Sequence, residues 1–274
     1  MNRLSTKQRT QVIAGLVEGM AINAIVRTTG VSKPTILKLI CDLGEACMKF
    51  EDETLVNLPC KKIQCDEIWS FCYAKEKNVP QEKQNEFGYG DVWTWTALDA
   101  DTKLLCSWTV GDRTAITAKH FMKDLASRLK NRVQLTTDGH RPYVEAVEEA
   151  LGSNVDYATL VKQYDNDARD ETRYSPAECI GCRSIKISGK PAAADISTSY
   201  VERHNLSIRM HMRRYTRLTN VHSKKIQNHI CAFAIHSVYY NFAKIHQTLR
   251  VTPAMEAGVS DHVWSLEKIA GLLG

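Results

Sequence analysis

The chain has 274 residues, 43% of them apolar and 24% charged, which suits one large domain or two modest ones with a true core. Seven Pro and 14 Gly exclude a fibrous or disordered polymer. No apolar run approaches the ~18 residues of a membrane span and the polar start lacks a signal-peptide core, so a soluble, unprocessed cytoplasmic protein without membrane contact is expected.

The net charge of +5 is unevenly spread. Residues 1–50 carry seven basic and three acidic groups (+4), and residues 183–250 hold twelve Lys/Arg against Asp195 and Glu202 (+10), which leaves −9 for the rest. Two basic regions around an acidic block point to two contacts with a polyanion.

Residues 5–19 read as an amphipathic helix and 21–29 as a second, shorter one. Thr29-Gly30-Val31-Ser32 makes a tight turn, and Ser32-Lys33-Pro34-Thr35 starts a third helix with Ser at the cap and Pro in its first turn. This is a helix-turn-helix pattern over residues 1–48, and its third helix offers Lys33, Thr35 and Lys38 to a DNA groove. A helical bundle that packs or dimerises has the same spacing. Residues 49–60, with Glu51, Asp52, Glu53 and Pro59, read as a linker.

A second texture follows. Lys61–Phe71, Val92–Leu98 and Leu104–Val110 are β-branched and aromatic, and Asp99–Lys103 is a hairpin-type turn between the last two. Next come a helix at 114–130, a strand Arg132–Thr137, a helix at 141–151 and a strand Asp156–Val161. The order β-β-β-α-β-α-β implies an α/β fold: a mixed sheet with helices packed on it. Gln163–Ser197 shows no periodicity and reads as a loop-rich insertion, followed by helices at 198–216 and 222–243 and a C-terminal tail, 247–274. Nine scattered cysteines argue against a disulfide framework. Cys179 and Cys182 have metal-ligand spacing but no second pair, and read as ordinary loop thiols.

Three carboxylates occupy unusual positions. Asp66 lies inside a strand, where propensity disfavours it, and alternation puts it with Gln64 and Ile68 opposite Ile63 and Cys65; Glu67 beside it leaves open which acid matters. Asp138 ends an apolar strand before Gly139, a sequence that alone reads as a turn. Glu202 opens a helix crowded with arginine, on a face with Asn205, Arg209 and Arg213 and beside an apolar stripe of Val201, Ile208 and Met212. Converging at one sheet edge, such hard oxygens would suit two Mg²⁺ ions acting on a phosphodiester, with the basic helix holding the flanking phosphates.

Four stretches resemble bacterial DDE transposases and retroviral-type integrases: Cys65-Asp66-Glu67-Ile68-Trp69-Ser70-Phe71, Thr136-Thr137-Asp138-Gly139-His140, Ser199-Tyr200-Val201-Glu202-Arg203-His204-Asn205, and the Tyr240-Asn241, His246, Leu249, Thr252-Pro253 run. Tyr200, Glu202, Arg203 and Arg209 are similar to the Tyr/Arg/Glu/Lys signature of insertion-sequence transposases, with Arg209 in the place of Lys. Met212–Asn220 resembles a stretch of the insertion sequence one family in particular.

The resemblance implies a ribonuclease-H-like catalytic core over 61–246, with Asp66, Asp138 and Glu202 as catalytic metal ligands for Mg²⁺, for which Mn²⁺ can substitute. Arg203, Asn205, Arg209 and Arg213 would contact DNA. The implied reaction is hydrolysis at the terminal inverted repeats of a mobile element and joining of the 3′-hydroxyls to target DNA, by at least a dimer in the bacterial nucleoid. The interval from Asp138 to Glu202 is long for the family and requires Gln163–Ser197 to be an insertion; without one, Glu178 would compete as third acid, though it lacks a basic helix. A nuclease without strand transfer and a non-catalytic DNA-binding regulator are the alternatives.

Overall fold

The computed structural model describes residues 4–164, 179–216 and 220–274. Three helices come first: α1 (Thr6–Val17), α2 (Ile22–Thr29) and α3 (Lys33–Thr54). Ser5 and Gln8 form a reciprocal capping box that starts α1. Gly30, at φ +69°, makes the turn between α2 and α3, and Val31 is buried beneath it. Three helices thus stand where the sequence predicts them, with a tight turn before the third.

Residues 49–54, expected as linker, continue α3. Their acidic composition misleads because Glu51 is buried, accepting hydrogen bonds from Ser237 and from Trp108 Nε1 at 3.0 Å. Phe50 beside it packs edge-on to Phe242 and against Trp264. The residues of α1–α3 share one hydrophobic core with the sheet that follows.

That sheet has six strands: β1 (Lys62–Cys72), β2 (Gly90–Asp99), β3 (Leu105–Gly111), β4 (Val133–Thr137), β5 (Val155–Tyr164) and β6 (Cys179–Ser188), in the order β3-β2-β1-β4-β5-β6. β2 runs antiparallel to both β1 and β3, β4 and β5 run parallel to β1, and β6 antiparallel to β5. Helices α4 (Ala115–Arg128) and α5 (Pro142–Leu151) precede and follow β4, the crossovers that parallel neighbours require. Phe121, Met122 and Leu125 of α4 and Tyr143 and Val147 of α5 cover the face of Ile63 and Cys65.

The opposite face carries a second core. There Ile68, Leu98 and Leu105 meet Val201 and Ile208 of α6 (Ser199–His211) and Phe233 of α7 (Ile226–Val238). The helix expected over 198–216 stops at His211 and gives way to a tighter turn, Arg213–Tyr215. α7 starts at Ile226 and ends in a π-helical turn, Tyr239–Ala243. α3 crosses α7 at Gly44, where a Cβ would stand 2.5 Å from Cys231 Cα.

Two further expectations change. The region read as a loop-rich insertion contains the edge strand β6, exposed along most of its length; that exposure removes the apolar alternation by which a strand is recognised. Residues 165–178 of that region, including Glu178, lie outside the described residues. Within residues 247–274, expected as a C-terminal tail, α8 (Pro253–Glu256) and α9 (Leu266–Ala270) bury Ala254, Ile269 and Ala270 in the main core. Among the described residues no helix is long and apolar enough to cross a membrane.

Candidate active site

β1 is the central strand in both senses, sitting mid-sheet and carrying the first acid. Asp66 faces α6, as the alternation of its neighbours requires, and stands opposite Thr96 of β2. Two residues earlier on the same face, Gln64 Oε1 accepts the Tyr200 and Val201 backbone N–H groups at 2.9 and 3.1 Å. It supplies the helix-start acceptor that Thr198 does not provide from its side chain. The strand thus fixes where α6 begins, and with it Glu202 in the first turn.

Asn205, one turn later, donates from Nδ2 to Asp66 Oδ2 at 2.8 Å. Asp138 follows the last residue of β4, and its Oδ1 accepts the His140 backbone N–H at 2.9 Å in an Asx turn. Gly139 lets this turn press onto β5, since a Cβ there would meet Val161 Cγ2 at 2.9 Å. The pairing of β1 with β4 ends at Gln64 and Thr136, so Asp66 and Asp138 lie just past the paired segment, where the strands leave an opening.

Asp66, Asp138 and Glu202 line one open cleft of about 830 Å³ with Arg113, His140, Lys162 and Thr198. The three acids are not equally placed within it. Oxygens of Asp66, Glu67 and Asp138 lie within 4.8 Å of one another. Glu202 is held on the far side, ion-paired with Lys162 and accepting a hydrogen bond from Thr198 Oγ1 at 2.6 Å.

The charge of this group is poorly compensated. Burial, then Asp138, Glu202 among other groups, pushes the Asp66 carboxyl up to about 7 despite the Asn205 hydrogen bond. Glu67, on the opposite face of β1, is pushed up to about 8 by burial, Asp138 and Asp66. Arg113 reaches Glu67 at 3.4 Å and Asp138 at 3.7 Å, too long and too exposed to neutralise both. Among the described residues the buried Glu67 Oε1 meets no hydrogen-bond partner at ordinary distance, and the Tyr143 hydroxyl is the neutral group that eases its charge. Clustered hard oxygens with unmet negative charge fit a divalent cation such as Mg²⁺.

The remaining residues named from the sequence divide into three groups. Asn205 is buried and its amide serves Asp66. Arg209, two turns along α6 from Glu202, donates to the Tyr215 carbonyl at 3.0 Å, while Arg203 and Arg213 are exposed. Lys33, Thr35 and Lys38 are exposed on the first turns of α3, with Lys38 paired to Asp42 at 2.6 Å. Gln64, Lys162, Arg113 and Thr198 escape sequence reasoning. A buried Gln within a strand was the one available signal.

No family model and no curated protein matches the chain. Among solved structures it is similar to a piggyBac transposase in a synaptic complex with hairpin DNA, at 12% identity and a TM-score of 0.41, over 99% of this chain and 71% of that one. It is also similar to Mos1 transposase in a paired-end complex with the left transposon end, at 12% identity and a TM-score of 0.24, over 57% of this chain and 60% of that one.

Proposed function

We propose that this chain is a metal-dependent DDE transposase of the bacterial insertion-sequence type, resembling the insertion sequence one family, with a ribonuclease-H-like core. The observation that carries the reading is the meeting of Asp66 from the central strand, Asp138 from the end of its parallel neighbour and Glu202 from the start of α6 in one open cleft. The strand order β3-β2-β1-β4-β5, with a helix on each side of β4, supports the same core.

Asp66 and Asp138 would hold Mg²⁺ or Mn²⁺, with Glu202 completing the set from α6. Bound there, the ions would activate a water or a 3′-hydroxyl and stabilise the leaving oxygen of a phosphodiester. The chain's own groups have separate tasks. Asn205 orients the Asp66 carboxylate, and the Asx turn at His140 orients that of Asp138. Lys162 and Arg113 supply positive charge at the rim, where the phosphates flanking the reacting one would lie. Lys33, Thr35 and Lys38 would contact the terminal inverted repeat, while synapsis of two ends requires at least a dimer.

The test is strand transfer. The protein is incubated with Mg²⁺, a duplex ending in the element's terminal repeat, and a circular target. Covalent joining of the repeat's 3′ end to the circle is the expected result. Cleavage without joining would reduce the reading to a nuclease, and DNA binding with neither reaction would leave a regulator.

A further inference from the structure

A basic groove lies away from the carboxylate cleft and shares no lining residue with it. We propose that the N-terminal end of α3 and the segment before α7 form one composite clamp on the phosphate backbone of duplex DNA, centred on Arg214. Its choice of DNA as ligand rests on the function proposed above, while the groove's anion preference rests on its own chemistry.

Lys33, Lys38, Arg214, Lys224 and Lys225 line a groove of about 730 Å³, and none of its lining residues is acidic. Of these cations, Lys38 has a carboxylate partner, Asp42. Among the described residues Arg214 pairs with no carboxylate. Its NH1 donates instead to Ser223 Oγ at 3.1 Å and to the Asn228 carbonyl, two neutral oxygens that fix the guanidinium without neutralising it. Burial pulls the Arg214 pKa down, opposed by a tyrosine and cysteines, Tyr215 first among them. A partly buried, oriented and uncompensated guanidinium beside two exposed lysines is suited to a fixed phosphate.

The backbone adds to this. Both α3 (22 residues) and α7 (13 residues) begin on the groove, neither has a side-chain cap, and neither has an acid in its first turn. Their free N–H groups and dipoles favour an anion in the same place as the lysines do. The cations come from separate segments facing one open groove, an arrangement that matches a run of phosphates better than one small anion. Arg214 also sits in the turn that directly follows α6, so the clamp is covalently continuous with the helix bearing Glu202.

The experiment measures binding of the full chain to a 40-bp duplex of random sequence by fluorescence anisotropy across a salt series. Lys224 and Lys225 are exposed, so the Lys224→Ala/Lys225→Ala variant tests the clamp without disturbing the core. It should flatten the slope of log K against log salt by about 2, and Lys33→Ala by about 1. Arg214→Gln should weaken binding further than Arg214→Lys does. A slope unchanged in the double variant while Lys33→Ala lowers it overturns the composite clamp and leaves α3 as the DNA contact. Equal displacement of the duplex by poly-glutamate also overturns it, as a general polyanion face. Normal strand transfer with an unaltered salt slope refutes the clamp alone; the predicted slopes without cleavage or joining refute the chemistry alone.

Discussion

Asn205 on α6 donates a 2.8 Å hydrogen bond to Asp66 on β1, tying the helix that carries the third acid to the strand that carries the first. A carboxylate that is mostly buried and crowded by others is oriented by two neutral donors, the Glu67 backbone N–H and the Asn205 amide, and only the second comes from α6. Asn205→Ala should therefore reduce Mg²⁺-dependent cleavage by roughly 10–100-fold, the usual effect of losing a group that orients a metal ligand. Unfolding stability should drop by only about 1–2 kcal/mol, measured by denaturant titration. Wild-type cleavage in this variant would make Asn205 a packing residue.

Lys162 on β5 ion-pairs with Glu202 and so competes with a cation for that carboxylate. Lys162→Ala should tighten Mn²⁺ binding to the DNA-free protein by roughly 3–10-fold in calorimetric titration, since a positive charge beside the site is removed. Unchanged or weaker Mn²⁺ binding would place Glu202 outside the metal set.

Much of this site was legible in the sequence because period-2 alternation is unforgiving: Ile63 and Cys65 facing one core forces Gln64, Asp66 and Ile68 to face the other. On α6 the 3.6-residue helical period put Glu202 beside the buried stripe of Val201 and Ile208. What escaped was tertiary. Nothing local to Gln64 says that its side chain caps a helix starting 135 residues later, or that Lys162 would meet Glu202 across the sheet end. Residues 49–54 of the expected linker are helical instead, because composition cannot show that Glu51 has two donors waiting on β3 and α7. The packing of the tail escaped likewise: α8 and α9 are too short to show a full amphipathic period.

Glu51 itself yields a pH prediction. Burial pushes its carboxyl up to about 7, against an ordinary value of 4.5, despite hydrogen bonds from Ser237 and Trp108. Between these two values the folded chain binds more proton than the unfolded chain, so this group makes stability fall as pH rises from about 4.5 to about 7. Glu51→Gln can keep both hydrogen bonds, with its oxygen toward Trp108 and its amide toward Ser237. It should flatten that dependence and raise stability at pH 8 by about 1–3 kcal/mol. An unaltered pH profile of the melting temperature would contradict this.

Gly44 sets the distance between α3 and α7. Alanine favours a helix over glycine by about 1 kcal/mol, yet here its Cβ would collide with the Cys231 backbone. Backbone cannot move aside as a side chain can, so the clash decides the sign. Gly44→Ala should destabilise the protein by about 1–3 kcal/mol, seen as a lower denaturation midpoint. Stabilisation would mean that the helices separate freely.

The most direct measurement is cleavage of the terminal-repeat duplex in Mg²⁺ by Asp66→Asn, Asp138→Asn and Glu202→Gln, each first shown to fold as the wild type does. Each substitution removes one anionic oxygen and leaves the shape of the cleft intact. All three should lose roughly a hundredfold or more of the cleavage rate while still binding the duplex. Wild-type cleavage by any one of them would contradict the assignment of that carboxylate to the site.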